Sequence, residues 1–467
     1  MAKISRLNAF TLLLLTLFVP LVRAQTGALN PLQFSGSDIG AQINNAAATC
    51  VSGQPCLIVL PPGPQLTFTQ AITFVPNETV QCPRSSQIAN DSGGDSTARL
   101  NYIGSNTAVT MNNAGGRFIG CDLLLGTSAT NGIVMGGYSN FVEDAGVRGG
   151  GSATTLVHIS GTATEDNHLS NSRLSDFIGT GVAVDHANDT SLTNITAYGK
   201  VSNTTSTTLL VDSAAGGIII DNFIGGNSGL HGFWERYTLG GQLPSWLFAN
   251  NFQCDLAASD CFLFDSSLGS ANIGATFINS WASGAGGAGI HISGGSGIHV
   301  GGGTKIRANG YDGITIDGGA EVGIEIEGNY ILGNNQANVG KHGISINGHP
   351  NSVTITGNHI NNYPEVGGHQ GYAVWAVSDV EGLIFSNNNC SYNISGCANL
   401  SAVVPSKLTY GQNISNDGGV QSNYFPGPIN TVTGYQFNGI GGFTGTKKAG
   451  TCTLTIQGGI ITAVSGC

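Results

Sequence analysis

Gly289-Ile290-His291-Ile292, Gly313-Ile314-Thr315-Ile316, Gly343-Ile344-Ser345-Ile346 and Gly371-Tyr372-Ala373-Val374 repeat one phrase. The leading glycines lie 24, 30 and 28 residues apart. Within each triplet the apolar residues alternate, which predicts a short strand with one buried face. Recurrence at this interval predicts stacked coils, none of which can bury its apolar face alone. The fold class expected is all-β: a single-stranded right-handed parallel β-helix. Further triplets at Gly132-Ile133-Val134-Met135, Gly181-Val182-Ala183-Val184, Ile218-Ile219-Ile220 and Phe262-Leu263-Phe264 extend the pattern. A rise of about 4.8 Å per coil makes roughly a dozen coils a rod on the order of 55–60 Å long. Turns containing Asn279, Asn329, Asn358 and Asn388 are expected to stack, with Gly and Asn supplying positive φ.

The chain opens with Lys3 and Arg6, an apolar run from Leu12 to Val22, and Val22-Arg23-Ala24 as a cleavage site. Residues 1–24 therefore read as a signal peptide, too short to span a bilayer. Export to the extracellular space or periplasm follows, with no membrane association after cleavage. Cys50 with Cys56, Cys254 with Cys261, Cys390 with Cys397 and Cys452 with Cys467 are close pairs, leaving Cys82 and Cys121. Export favours disulfides, although sequence does not fix connectivity. No CxxC or His cluster suggests a metal site. Charged residues make up only 9% of the chain and the net charge is −11, which argues against a nucleic-acid partner. An anionic polymer would need a local basic site.

Asp38-Ile39-Gly40-Ala41-Gln42-Ile43-Asn44 and its Ala-rich tail suit a short helix, with Ser37 or Asp38 near the N-cap. A strand ending Leu60-Pro61-Pro62-Gly63 follows. Such a helix would cover the open edge of the first coil. Together these residues resemble the opening of pectate-lyase-superfamily domains, including the rhamnogalacturonase/epimerase-like group and tailspikes. The resemblance spans residues 36–400. It implies a parallel β-helix with a polysaccharide partner, and leaves open hydrolase, lyase, epimerase or binding protein. Relatives of this kind often use calcium, but no cofactor is evident here and no tight Asp cluster marks a calcium site.

The expected organisation is a cap with first coils over 25–96, the β-helix over 97–401, and an irregular tail with a hairpin over 402–467. The hairpin would be stapled by Cys452 and Cys467. Monomer and homotrimer both remain open.

Against so little charge, His231-Gly232-Phe233-Trp234-Glu235-Arg236-Tyr237 is conspicuous. It reads as a loop projecting from one coil. Trp234, Tyr237 and the nearby Trp246 offer flat faces for sugar rings. Glu235 could protonate a glycosidic oxygen, with His231 beside it, and Arg236 could hold a uronate carboxylate. Asp255 is the expected second carboxylate, since glycosidic hydrolysis generally uses two. Asp265, Asp185 and Asp317 each follow a strand triplet, which suggests turn-forming roles. Lys305 and Arg307 share one strand face and could bind substrate or serve a lyase. The polygalacturonase pattern is absent: there is no Asp-Asp pair and no Gly-His-Gly. The glycine run at 284–289 precedes a strand, so it is no dinucleotide site. His291, His299, His342, His349, His359 and His369 lack metal spacing and read as satisfied turn or surface residues. The function expected is a secreted glycoside hydrolase or polysaccharide lyase. The alternative is a non-catalytic polysaccharide-binding or tailspike-like surface protein.

Overall fold

The structure, a computed structural model, describes residues 27–83 and 100–415, less 152–154, 162–164, 201–203, 214–215, 238–244, 266–272, 319–321 and 364–366. It also describes strand backbone between 445 and 465. The signal peptide and the Cys452–Cys467 pairing lie outside the described residues.

Parallel strands stack into a right-handed solenoid from Cys56–Val59 to Leu408–Tyr410. Coils contribute one strand each to a 13-stranded sheet, here the narrow sheet, and up to two each to a 23-stranded broad sheet. The repeated phrase is the narrow sheet itself. Ile290, Ile314, Ile344 and Val374 stand in register, as do Ile292, Ile316, Ile346 and Ala376. All eight are buried. Burying each Ile stabilises the fold by about 1.5–3 kcal/mol relative to exposure, so the columns supply the main driving force. In the middle coils phenylalanines replace the aliphatic ladder: Phe233 lies between 5.4 and 6.2 Å from the rings of Phe252, Phe262, Phe264 and Phe277.

The glycines heading the triplets are needed for close approach. A Cβ on Gly289 would lie 2.5 Å from the Ile306 side chain and 2.8 Å from the Gly313 carbonyl oxygen. Gly313 and Gly343 meet the same obstruction one coil further on each time. Positive φ is supplied elsewhere. Asn194, Asn222 and Asn251 adopt φ of 55°, 55° and 54°, and bend the long strands Ser191–Gly199, Ile218–Ser228 and Ser245–Ala257. Their amides form a file, Asn251 donating to Asn222 (3.0 Å) and Asn222 to Asn194 (2.9 Å).

A second asparagine file is buried. Asn329 donates to Asn358 Oδ1 (3.1 Å), and Asn358 donates to Asn388 Oδ1 (3.0 Å) and to the Ile326 carbonyl (2.9 Å). Asn279 belongs to an exposed file, donating to Asn250 Oδ1 at 3.0 Å.

At the N-terminal end, helix Ile39–Ala47 covers the first coil with Ile39, Ile43, Ala46 and Ala47 buried. Asp38 caps it: Oδ1 accepts from Ala41 N (3.0 Å) while Oδ2 accepts from Thr69 N (2.9 Å) and Gln70 N (3.1 Å). One carboxylate thus ties the helix to the coil beneath. Four disulfides join Cys50–Cys56, Cys82–Cys121, Cys254–Cys261 and Cys390–Cys397. Near the C-terminus the expected hairpin is part of a three-stranded antiparallel sheet, Gly445–Ala449, Cys452–Gln457 and Ile460–Ser465. Among the described residues no helix is long and apolar enough to cross a membrane.

Replacing Asn358 by Ala strands the Asn329 amide and the Ile326 carbonyl away from water. Chemical denaturation should register a loss of about 1–3 kcal/mol. An unchanged midpoint would mean that the buried file contributes nothing.

Candidate functional site

In-register stacking turns every outward position of the narrow sheet into a column. One column runs His158, Ala183, Leu210, Trp234, Leu263, His291, Thr315, Ser345 and Trp375. Two residues further along the strands, Ser160, Asp185, Asp212, Arg236 and Asp265 form a second column. Ser293 and Asp317 continue it through their backbone bonds to Phe264 and Ile292. Acids, imidazoles and aromatic rings therefore converge on this face.

The segment 231–237 is part of this face and does not project as a loop. Phe233–Arg236 is a strand of the narrow sheet. The reason is the period-two alternation: Phe233 enters the phenylalanine core, so Trp234 and Arg236 must face out and Glu235 must face in. Glu235, read from sequence as the catalytic acid, is 2% exposed and stands in register between Val211 and Phe264. Its carboxylate belongs to the coil interior. Asp255 lies on the broad sheet between Gly226 and Ser283, on another face, so the expected Glu235–Asp255 pair does not form. Trp246 is 60% exposed, also on the broad sheet. Lys305 and Arg307 do share an outer face, but again on the broad sheet. Tyr237 is half-buried and follows the Phe233–Arg236 strand. Of the residues singled out from sequence, His231, Trp234 and Arg236 are brought together here.

Arg236 Nε lies 2.7 Å from Asp212 Oδ2, and its guanidinium sits 4.5 Å from the Trp234 ring centroid. The indole Nε1 donates to Asp265 Oδ2 at 3.2 Å. His231 packs 5.4 Å from the same indole, with Nδ1 at 4.0 Å from Asp260 Oδ2. The most charged element is one that sequence reading set aside. His291 Nδ1 is 3.2 Å from Asp260 Oδ2, and Nε2 is 2.9 Å from Asp317 Oδ2, a contact lacking hydrogen-bond alignment. Burial alone would neutralise this ring, but the two carboxylates outweigh it and raise His291 to about 10. His231 is shifted the other way: burial lowers it, with Asp260 opposing. One aspartate thus stands between a charged imidazole and a neutral one.

Towards the C-terminal coils, fully buried Asp312 accepts from Ser345 Oγ (2.6 Å) and from the His342 backbone N (2.6 Å). Lys341 Nζ is 3.6 Å away. His342 packs 4.4 Å from the Trp375 ring and is pushed down to about 4, chiefly by burial. Towards the N-terminal coils, Asp185 is flanked by His158 (3.5 Å) and His186 (2.5 Å). Among the described residues no three His, Cys, Asp or Glu side chains are grouped so as to hold a metal ion.

Asp185, Asp265 and Asp317, read from sequence as turn formers, also share one outward column of the narrow sheet. Their shared offset from the strand triplets was the sign of a column.

Comparison of the sequence with family profiles and with curated proteins returns no match. Solved structures do resemble it. The A-module of mannuronan C-5 epimerase AlgE6 from Azotobacter vinelandii superposes with a TM-score of 0.55 at 14% identity, covering 84% of this chain and 100% of that one. The AlgE4 A-module from the same organism gives 0.50 at 15% identity with the same coverage. Tailspike protein 3 of bacteriophage CBA120 gives 0.48 at 12% identity, over 84% of this chain and 62% of that one. At such identities the likeness establishes architecture: the chain is a pectate-lyase-like right-handed parallel β-helix.

Proposed function

We propose that the protein is an exported glycoside hydrolase that cleaves a polysaccharide of low charge along the outer face of the narrow sheet. The observation that carries this reading is the placement of Asp265 and Asp317 on alternate rungs of one column, with only Ser293 between them. Rungs about 4.8 Å apart put the two backbones roughly 9.6 Å from each other. A pair of carboxyls about 6.5–9.5 Å apart leaves room for an attacking water, and side chains on alternate rungs can reach that separation. Asp317, paired with the His291 imidazolium, is assigned as the base that activates this water. Asp265 is assigned as the acid that protonates the leaving oxygen, beside the Trp234 face on which a sugar ring would stack.

The sign of this face, the proposed groove, supports an uncharged substrate. Asp185, Asp212, Asp260, Asp265, Asp312 and Asp317 outnumber the cations Arg236, Lys341 and His291. Arg236 and Lys341 are also engaged by Asp212 and Asp312. Such a field opposes a polyanion and stabilises a transition state of oxocarbenium character. Export is supported by the four disulfides. The structural neighbours support a polysaccharide partner only in general terms: two are named as mannuronan epimerases, whose polymer is a polyuronate, so the low charge of the substrate rests on the sign of this face alone.

Incubation with neutral polysaccharides should release reducing ends without the ultraviolet absorbance of unsaturated uronates. That absorbance would mean β-elimination, and glycan binding without release would mean a binding protein. Asp317→Asn and Asp265→Asn should each lower kcat by about 10²–10⁴-fold with unfolding unchanged. Glu235→Gln, inside the coil, should leave kcat per folded molecule within about twofold. A collapse of turnover in folded Glu235→Gln would move the acid back to that residue.

The raised His291 carries a stability signature as well. Its ordinary imidazole value is 6.5 and its folded value is about 10. The stabilisation is therefore complete below about pH 6.5 and fades as pH rises towards 10. The difference in unfolding free energy between wild type and His291→Gln should shrink steadily over that window. A gap independent of pH would show that the ring is not charged.

A further inference from the structure

The broad sheet carries a second file of rings and cations that the groove does not use. Trp281, Lys305, Tyr330 and His359 occupy one column on successive rungs, with Arg307 in the adjoining column. Lys305 Nζ and Arg307 Cζ lie 5.6 and 5.5 Å from the Trp281 ring centroid. Tyr330 is 42% exposed and stacks on His359, centroids 5.2 Å apart and planes 23° apart.

Among the described residues, five cations are matched by acids. Arg117, Arg148, Arg236, Lys341 and Lys407 each have a carboxylate within 4.0 Å. Among the described residues, Lys305 and Arg307 form no ion pair. Asp255 is the nearest acid in the Arg307 column, and Ser283 separates the two by a full rung. The indole holds both cations in place by cation–π contact, leaving their outer N–H groups for a ligand.

We propose that this face is a second glycan-binding site, separate from the groove, for polysaccharides bearing carboxylate or sulfate groups. Lys305 and Arg307 engage the anionic substituents, and Tyr330 with His359 provides the platform for a neighbouring ring. The two faces then divide the work: the acidic groove takes a polymer of low charge while the basic file holds the protein on an acidic one. This assignment is independent of whether the groove is hydrolytic.

Affinity electrophoresis of the full chain through gels containing polygalacturonate, dextran sulfate or neutral dextran tests it. Retardation by at least one anionic polymer, weakened by added salt, is expected, with none by dextran. The double variant Lys305→Gln, Arg307→Gln should bind about tenfold more weakly, since both charge-assisted contacts are lost. Circular dichroism would verify that it folds. Asp317→Asn should be retarded like wild type. The proposal is overturned if neither anionic polymer binds, if dextran binds equally well, if the double variant retains full affinity, or if Asp317→Asn abolishes retardation.

Discussion

Every coil must present to the next a residue that fits directly above its own. That in-register constraint, imposed by continuous parallel hydrogen bonding between rungs, governs the rest of the molecule. It explains why isoleucine repeats at 290, 314 and 344, since an Ile above an Ile leaves no step in the wall. It explains the glycines as well. At 289, 313 and 343 the backbone of the following coil passes too close for a side chain. A slip of one residue would turn each buried column outward, so register is strongly enforced wherever the interior is apolar.

The same constraint creates a problem on the outer face. Like residues stacked for shape become like charges stacked about 4.8 Å apart, and at an effective dielectric of 20 two such charges repel by about 3.5 kcal/mol. The acidic column of the narrow sheet shows how this is managed. Arg236 occupies the rung between Asp212 and Asp265, and the short Ser293 separates Asp265 from Asp317. Where two acids do fall on adjacent rungs, at Asp185 and Asp212, each has its own partners. Asp185 has His158 and His186, and Asp212 has Arg236 and Ser213. The elevated His291 belongs to the same pattern, a charge retained in a half-buried position because Asp260 and Asp317 hold it from both sides.

The fold was legible because its signal is periodic and local. Gly-Ile-x-Ile needs no distant partner to be recognised, and the Asp38 cap announces its helix directly. The site was harder to read because its columns join residues 24 to 30 positions apart, through coils of unequal length. Asp260 meets His291, and His291 meets Asp317, only after the intervening turns are known. Part of it was nevertheless available. His291 is the middle residue of a triplet with two buried flanks, so alternation alone puts it outside. The segment 233–236 was misread for the opposite reason: its charge drew attention from its alternation. Period two makes residue 235 an inward position, and that rule holds although the residue is Glu.

A β-helix offers catalytic residues a coarse set of spacings. Along the axis, carboxylates can sit one rung apart, about 5 Å, or two rungs apart, about 10 Å, and little between is available at the backbone. These two choices correspond to the separations used for direct nucleophilic attack and for attack by a water. Both occur here. The adjacent-rung pair, Asp185 and Asp212, has its oxygens committed to two imidazoles, a guanidinium and a hydroxyl. A nucleophile so engaged would have to give up strong contacts before reacting. The alternate-rung pair, Asp265 and Asp317, is contacted by an indole N–H and an imidazolium. Because these partners sit on strands rather than loops, little reorganisation is needed when a sugar arrives. For the proposed hydrolysis, the alternate-rung spacing would suit water as the attacking group and inversion at the anomeric carbon.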